Sequence, residues 1–121
     1  MKTKQDSSAA LSAAAQAYIE AHSAEKFSLE KMAKTLFVNG SYLTRAFKRH
    51  TGMTPLAYHH RTRCAKAKEL LAGSKLSVSQ VGEAVGYVSS SHFAHLFRKL
   101  EGCTPSEFQK NHQTEAKEGT D

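Results

Sequence analysis

The sequence predicts an all-α fold made of two helix-turn-helix subdomains joined by a linker helix. Apolar residues recur at i, i+3, i+4 and i+7, as on helices with one buried stripe, and no alternating strand pattern competes. In addition, the segment 27–58 repeats as 76–108, at an offset of 49 residues that becomes 50 after one inserted residue. Two copies of one unit therefore make up most of the 121-residue chain.

Each copy contains two short amphipathic helices, and a further helix precedes the first copy, from about Ser8 to Ala21. Ser77 and Gln80 have the spacing of a capping box, and Asn39 is the candidate N-cap of the second helix of the first copy. The predicted buried stripes are Leu29, Met32, Ala33 and Leu36, then Leu43, Ala46, Phe47 and His50, and in the second copy Val78, Val81, Gly82 and Val85, then Phe93, Leu96, Phe97 and Leu100.

Glycine, threonine and proline mark the remaining helix boundaries. Gly52, Gly86 and Gly102 stand where helices are expected to stop, because glycine readily adopts the left-handed conformation that ends a helix. Thr54-Pro55 and Thr104-Pro105 each place a capping hydroxyl before a proline at the first helical position, so a new helix begins there. The first of these two helices, about 17 residues or roughly 25 Å long, joins the two units.

These boundaries divide the chain into five segments. The two ends lack apolar residues apart from Met1 and Ala116, so we expect them to be disordered. The last helix starts at a second predicted capping box, Thr104 with Glu107, and ends near Asn111. The predicted segments are a disordered tail over 1–7, a first helix-turn-helix subdomain over 8–54, the linker helix over 55–72, a second helix-turn-helix subdomain over 73–112 and a disordered tail over 113–121.

The basic charge of the chain is concentrated in its centre. The sequence has 17 Lys and Arg against 11 Asp and Glu, a formal net charge of +6. Ten basic and two acidic residues lie between Ser28 and Lys75, whereas the segments on either side are neutral or acidic. A run of charge is usually a solvated helical face, but a basic surplus also suits an anionic partner.

Length, hydropathy and cysteine content exclude several classes of protein. A chain of 121 residues has room for one compact domain or two very small ones, which excludes most multi-domain enzymes. No apolar run approaches the ~20 residues of a membrane span, and no secretion signal follows Met1. Cys64 and Cys103 are far apart and in no metal-site spacing, as in a reducing cytoplasm. We therefore expect a cytoplasmic protein without membrane contact, in which Cys64 is a small buried residue.

The second helix of each copy carries a polar and basic face opposite its apolar stripe. The outward face is found by moving two positions back from each buried residue, which is a rotation of about 200° at ~3.6 residues per turn. Neither of the two outward faces contains an acidic residue. Short side chains let a helix approach the major groove of DNA, Arg45 can bond guanine O6 and N7 together, and cations at the helix end can meet phosphates. The outward positions are Ser41, Thr44, Arg45 and Lys48 in the first copy, and Ser91, Ala94, His95 and Arg98 in the second.

Each copy thus has the layout of a helix-turn-helix, with two helices joined by a tight turn. Such pairs also occur as plain structural packing, and an arginine like Arg45 can lie on a solvent face or in an intramolecular ion pair. The composition of the outward faces favours DNA binding through helices at about 40–50 and 90–99. Adjacent major grooves lie about 34–36 Å apart, a separation that the linker helix and its turns can set, so one chain could read two grooves.

A specific motif string runs through both copies. It consists of Tyr42-Leu43-x-x-x-Phe47-Lys48, Gly52, Tyr58 and Arg63, then Val81-Gly82-x-x-Val85-Gly86-Tyr87, Phe93-x-x-x-Phe97-Arg98 and Gly102-x-Thr104-Pro105-x-x-Phe108. With this string, the segment from Ser28 to about Asn111 resembles the DNA-binding domain of the AraC/XylS family of bacterial transcription regulators. The resemblance implies seven helices, two homeodomain-like helix-turn-helix units with one recognition helix each, and a linker helix between them.

The resemblance also implies which side chains meet DNA. The base contacts of the family carry over onto Ser41, Thr44 and Arg45 in the first recognition helix and onto Ser90, Ser91, His92 and His95 in the second. Phosphate contacts fall on cations at the ends of these helices and, because the charge is concentrated there, in the linker. The predicted phosphate contacts are Lys48, Arg49, Arg98, Lys99, Arg61 and Arg63.

The sequence departs from the family pattern at several positions. Phe37 stands where the family often has glycine, and Gly82 where it usually has alanine. His59 and Thr62 replace aliphatic residues that are typical of the linker helix. Because the second recognition helix offers mostly short side chains, we expect it to contribute less base discrimination than the helix that carries Arg45.

Three functions remain open at this point. The first is a stand-alone transcription activator that binds duplex DNA as a monomer and contacts RNA polymerase; only 27 residues precede Ser28, too few for a ligand-sensing domain. The second is the isolated DNA-binding domain of a longer, ligand-responsive regulator that could dimerise. The third is a helical protein-interaction module without DNA binding.

Catalysis, a cofactor and a metal site are not expected. The DNA-repair relatives of this family need more cysteines than Cys64 and Cys103 can supply. His92 and His95 lie on one helix, but no third ligand stands at metal-site spacing.

Overall fold

The computed structural model describes the backbone of residues 2–120 and the side chains of residues 7–112. This part of the chain contains seven α-helices and no strand, which confirms the all-α prediction and the helix count. The helices are α1 (Lys2–Ala21), α2 (Leu29–Thr35), α3 (Gly40–Thr51), α4 (Pro55–Gly73), α5 (Val78–Ala84), α6 (Ser90–Glu101) and α7 (Pro105–Thr120). Across the described residues, no helix is both long and apolar enough to span a bilayer.

The terminal helices have wider bounds than the sequence predicts. The predicted starts and ends, Ser8 for the first helix and Asn111 for the last, follow the apolar periodicity, whereas α1 begins at Lys2 and α7 ends at Thr120. The two tails expected to be disordered, 1–7 and 113–121, lie almost wholly outside the residues whose side chains are described. Their disorder therefore stays a prediction.

The chain forms two compact units, Met1–Thr62 and Arg63–Asp121, and the boundary between them falls inside α4. The sequence treats 55–72 as a linker separate from both subdomains. In the structure, Tyr58 from the first part of α4 packs against the core of unit 1, while Cys64, Ala67 and Leu71 from its second part belong to the core of unit 2. Each part of α4 is therefore a structural element of its own unit.

The core of unit 1 is built by α1, α2 and α3. Tyr58 packs its ring edge-on against Phe47, with 5.4 Å between the ring centroids, and donates a hydrogen bond to the Glu20 carboxylate. Burial and the neighbouring Glu20 raise the pKa of Tyr58 to about 12, so the phenol keeps its proton and remains a donor. The buried apolar residues of this core are Ala15, Ile19, Met32, Ala33, Leu43 and Phe47.

The core of unit 2 is richer in aromatic rings. Phe97 meets Phe93 at 5.8 Å and Phe108 at 5.7 Å between centroids, both in edge-to-face geometry. Cys64 is buried as predicted, and burial raises the pKa of its thiol to about 11, which leaves it protonated and unreactive. The buried apolar residues of this core are Cys64, Ala67, Leu71, Val81, Val85, Tyr87, Phe93 and Phe97.

The helix ends follow the predicted capping chemistry. The Asn39 side chain accepts a hydrogen bond from the Tyr42 N–H at 2.8 Å, as expected of an N-cap. Both predicted capping boxes are present, since Ser77 bonds with Gln80, and the Thr104 hydroxyl accepts from the Glu107 N–H while the Glu107 carboxylate accepts from the Thr104 N–H. Of the predicted glycine stops, Gly52 and Gly102 are left-handed C-caps with φ of 81° and 85°, and Gly86 has a φ of 110°.

The predicted buried stripes are wrong at one residue each on α3 and α6. His50 and Leu100 are both exposed, because they lie in the last turn of their helices, beyond the reach of the core. The His50 imidazole instead meets the Ser8 hydroxyl at 2.7 Å, and Leu100 is 46% exposed.

Candidate nucleic-acid interface

One face of helix α3 packs against the core of unit 1, and the opposite face is exposed to solvent. Leu43, Ala46 and Phe47 are buried, whereas Ser41 and Arg45 are exposed and Thr44 is half-buried. The Asn39 cap fixes where the helix begins, and therefore which residues lie on its first two turns. The structure thus places the three predicted base-contacting side chains of unit 1 together on one accessible face.

A hollow of about 590 Å³ lies beside this face, between the first turns of α2 and α3. Ser41, Thr44 and Arg45 line one side of it, and Glu30 lines the other. Sequence reasoning missed Glu30, although its position in the first turn of α2 was predictable from the helix start at Ser28. A carboxylate there stabilises the helix N-terminus and can accept a hydrogen bond from cytosine N4.

Helix α6 repeats this arrangement with a different outer surface. Ser91, His92 and His95 are exposed, and Ser89 caps the helix by accepting from the His92 N–H. The hydroxyls of Ser90 and Ser79 lie 3.0 Å apart and link the start of α6 to α5.

Cations follow the predicted base-contacting residues at the far end of α3 and α6. Lys48 and Arg49 in the last turn of α3, and Arg98 and Lys99 in the last turn of α6, are exposed. Cations are favoured at a helix C-terminus, where the backbone carbonyls carry partial negative charge. Arg61 on α4 is exposed as well, so all five side chains are open to solvent.

Arg63 does not fit the predicted phosphate contacts. It is only 6% exposed, and its guanidinium carbon lies 4.6 Å from the centroid of the Tyr87 ring. A buried guanidinium over an aromatic face is held inside its unit and cannot reach a phosphate group there. The sequence predicts an exposed side chain for Arg63, because it is a cation in a basic helix. Its burial becomes evident only from the packing of Tyr87 against it.

The linker helix also contributes less basic charge than its sequence indicates. The Lys68 ammonium lies 3.1 Å from the Glu101 carboxylate, in an ion pair that joins α4 to α6 within unit 2. With Arg63 buried and Lys68 paired, the exposed positive charge of α4 is smaller than a count of its cations predicts.

The structure thus contains two capped helices, α3 and α6, that each present an exposed polar face. Comparison with known proteins agrees with this arrangement. A family model described as a helix-turn-helix domain matches residues 32–111. The fold and the exposed helix faces define a DNA-binding helix-turn-helix protein of the kind found in transcription regulators. The chain belongs to the AraC/XylS family.

The most similar relatives include two curated bacterial regulators. The HTH-type transcriptional activator RhaS of Escherichia fergusonii is 38% identical over 94 residues, which cover 78% of this chain and 34% of RhaS. The probable transcriptional regulator LumQ of Photobacterium leiognathi is 36% identical over 92 residues, 76% of this chain and 37% of LumQ. The chain thus spans about a third of the length of these relatives.

Solved structures resemble the whole domain more completely. An AraC-type transcriptional regulator from Chromobacterium violaceum has a TM-score of 0.82 and 29% identity, with 88% of this chain and 96% of that chain covered. The DNA-binding domain of the global transcriptional factor AdpA, in complex with a target DNA, has a TM-score of 0.80 and 26% identity, with 86% and 94% covered.

Proposed function

We propose that this chain reads duplex DNA by placing α3 and α6 in adjacent major grooves, and that α3 supplies most of the base discrimination. The observation that carries the proposal is the matched exposure of the two helices, which are each 12 residues long. Both present an outer face of short polar side chains followed by two cations, on helices fixed by equivalent caps and equivalent buried phenylalanines.

Arg45 is the proposed base-reading residue of α3. Its exposed guanidinium can donate two parallel hydrogen bonds to O6 and N7 of a guanine, the commonest specific contact in the major groove. Ser41 and Thr44 add short hydroxyl groups on the same face, which let the helix backbone approach the bases.

Helix α6 makes a weaker set of contacts in this proposal. Ser90 and Ser91 reach only a short distance, and the Ser90 hydroxyl already meets Ser79. His92 and His95 are the two side chains long enough to reach base edges, each through ring nitrogens that donate or accept a hydrogen bond.

Five exposed cations are the proposed phosphate contacts. Contacts of this kind fix the position of the protein on DNA without reading its sequence. They are Lys48 and Arg49 on α3, Arg98 and Lys99 on α6, and Arg61 on α4.

The wider biological role follows from the family and is also proposed. Since the relative RhaS is a transcriptional activator, we infer that this chain acts on transcription in the cytoplasm and contacts RNA polymerase. A chain of this kind can act alone as a monomer, or as the DNA-binding part of a longer regulator that senses a ligand and dimerises.

Selection of bound duplexes from a random pool, followed by footprinting of the selected sequence, tests the proposal. We expect two protected half-sites about one helical turn apart, with one half-site more sharply defined than the other. A single short footprint would contradict the two-groove arrangement. Binding without sequence preference would contradict base reading altogether.

A further inference from the structure

Arg63 is a buried cation in a protein whose other arginines are exposed at the sites described above. It lies on α4 with 6% of its surface exposed. Removing a guanidinium from water is costly unless other groups compensate for the lost hydration. The face of the Tyr87 ring, 4.6 Å from the guanidinium carbon, supplies part of that compensation.

Tyr87 connects this buried cation to the start of the second recognition helix. Its ring stacks on Phe93 with 5.7 Å between centroids, and the neighbouring ring of His92 meets it edge to face at 5.4 Å. Phe93 is fully buried, whereas the His92 side chain is exposed on α6. A continuous row of contacts therefore runs from Arg63 through Tyr87 to His92.

The Tyr87 phenol is the titratable group of this row whose pKa is shifted by its surroundings. Burial raises the pKa of the Tyr87 phenol, and the positive charge of Arg63 opposes that shift without reversing it. The phenol therefore keeps its proton at physiological pH and faces Arg63 as a neutral group.

The first unit has a different side chain at the position of Tyr87. The Tyr87 N–H donates to the Gly82 carbonyl at 2.8 Å, and the Val38 N–H donates to the Ala33 carbonyl at 3.0 Å, which makes Val38 the counterpart of Tyr87. Valine cannot supply a π face to a cation, yet unit 1 forms the same turn. The turn after α2 and the turn after α5 therefore form with either side chain, and the tyrosine is found only at the unit 2 position.

We propose that Arg63 and Tyr87 are positioning residues for base reading by α6, because the ring of Tyr87, held under the Arg63 guanidinium, sets the orientation of the His92 imidazole at the start of that helix. This inference rests on the proposed function of α6. It assigns Arg63 a role in DNA recognition that requires no contact between Arg63 and DNA.

The test compares variants of the row on a duplex selected by the wild-type protein. A wrong base in a specific site typically weakens binding by about 5- to 150-fold. In Arg63→Met we expect the penalty for wrong bases in the α6 half-site to fall to about twofold, while the penalties in the α3 half-site keep their wild-type values. Tyr87→Leu should behave like Arg63→Met, whereas Tyr87→Phe keeps the ring, loses only the hydrogen bond between the phenol and Arg63, and should stay closer to wild type than Tyr87→Leu.

An NMR measurement on the protein without DNA separates this inference from the function on which it rests. The ring resonances of His92 should shift in Arg63→Met and Tyr87→Leu, and they should shift less in Tyr87→Phe, which keeps the aromatic ring. If the wild-type protein shows no sequence preference, the proposed function fails, whatever the His92 ring does. If Arg63→Met does not fold, Arg63→Lys gives the same comparison, with a smaller effect because its ammonium sits less well over a ring.

Two results would overturn the positioning role. One is an equal loss of discrimination in both half-sites at a matched folded fraction, which is the mark of general destabilisation. The other is an unchanged His92 ring together with unchanged penalties in the α6 half-site.

Discussion

The two recognition helices share a scaffold and differ in what they present. Both have 12 residues, an N-cap side chain that accepts from the third helical N–H, and a left-handed glycine at the C-cap. Phe47 and Phe97 are both fully buried. On the outer face, Arg45 of α3 corresponds to His95 of α6. The repeat has therefore kept the residues that build the helix while the residues that face outward have changed.

The contact between α2 and α3 also differs in residue size from the equivalent contact between α5 and α6. Unit 1 has Ala33 on α2 and Leu43 on α3, and unit 2 has Gly82 and Phe93 at the corresponding positions. A Cβ added to Gly82 would lie 2.8 Å from Cδ2 of Phe93, too close for real atoms. As packed in this structure, the Phe93 ring occupies the space that a Cβ at position 82 would need, so an alanine there would require the ring to shift.

A second pair of residues that differs between the units lies beside the residues proposed to read bases. Glu30 and Gly40 line the hollow in unit 1, while their counterparts in unit 2, Ser79 and Ser90, bring their hydroxyls together at 3.0 Å. Unit 1 thus has an open recess with a carboxylate beside Arg45. In unit 2, a hydrogen bond between side chains joins the same two helices.

The largest expected effect on stability is at Gly82. Gly82→Ala should lower the free energy of unfolding by about 1–3 kcal/mol, because the buried Phe93 ring has little room to move away from the new methyl group. Chemical denaturation measures the change. Adding Phe93→Leu to Gly82→Ala recreates the unit 1 pair and should recover part of the loss.

Gly73 provides the matched control for that substitution. It ends α4, and a Cβ added there meets no atom within 4 Å, so Gly73→Ala should leave stability unchanged or slightly raised. Equal destabilisation by Gly73→Ala and Gly82→Ala would mean that the Phe93 contact is not the cause. Failure of Phe93→Leu to recover any stability would also contradict the size compensation.

A smaller effect of opposite sign is expected at Phe37. This residue has a φ of 61° and is 93% exposed, while its counterpart Gly86 has a φ of 110°. A side chain in the left-handed region costs roughly 1–2 kcal/mol, and glycine loses about 0.5–1 kcal/mol of backbone entropy in return. Phe37→Gly should therefore stabilise the protein by up to about 1 kcal/mol, measured by urea denaturation.

The reverse change in unit 2 is the control. Gly86→Ala should destabilise the protein, because it places a Cβ at the same left-handed turn. A loss of stability in Phe37→Gly would show that the exposed ring makes a stabilising contact in solution.

Local signals in the sequence predict the helices well, and packing decides the rest. Asn39 and the Ser77 capping box act within a few residues, so their roles can be seen in the sequence alone. The burial of Arg63 depends on Tyr87, 24 positions later in the chain, and on a cation–π contact that no local pattern reveals. Phe37, in contrast, could be anticipated from the sequence. The family often has glycine at this position, and the backbone of Phe37 adopts the left-handed conformation that favours glycine.

The faces of the recognition helices were predictable because helical periodicity fixes them. Residues two positions from the buried stripe, such as Ser41, Arg45 and His95, are exposed as expected. The approximation fails in the last turn, where His50 and Leu100 continue the stripe in sequence but have no core beside them.

The smallest expected effect on DNA binding comes from replacing one lysine at the end of either helix. This effect should be the same for α3 and α6. Lys48→Ala and Lys99→Ala should each lower the slope of log affinity against log salt concentration by about 0.9, the value for one phosphate contact. Binding to every DNA sequence should weaken by the same factor. Fluorescence titrations at several salt concentrations measure both quantities.

Lys26, exposed in the connection between α1 and α2, serves as the control for these variants. Lys26→Ala should leave the salt slope unchanged. A wild-type slope in Lys48→Ala or Lys99→Ala would remove that lysine from the proposed phosphate contacts.

The central proposal is that α3 contributes more to base reading than α6. A full base-substitution scan of the selected duplex with the wild type, Arg45→Ala and His95→Ala tests it most directly. We predict that Arg45→Ala costs about 1–3 kcal/mol and removes the preference at one base position, while His95→Ala has a smaller effect confined to the other half-site. Equal weakening by Arg45→Ala whatever the base, or a larger loss of discrimination in His95→Ala, would contradict the account.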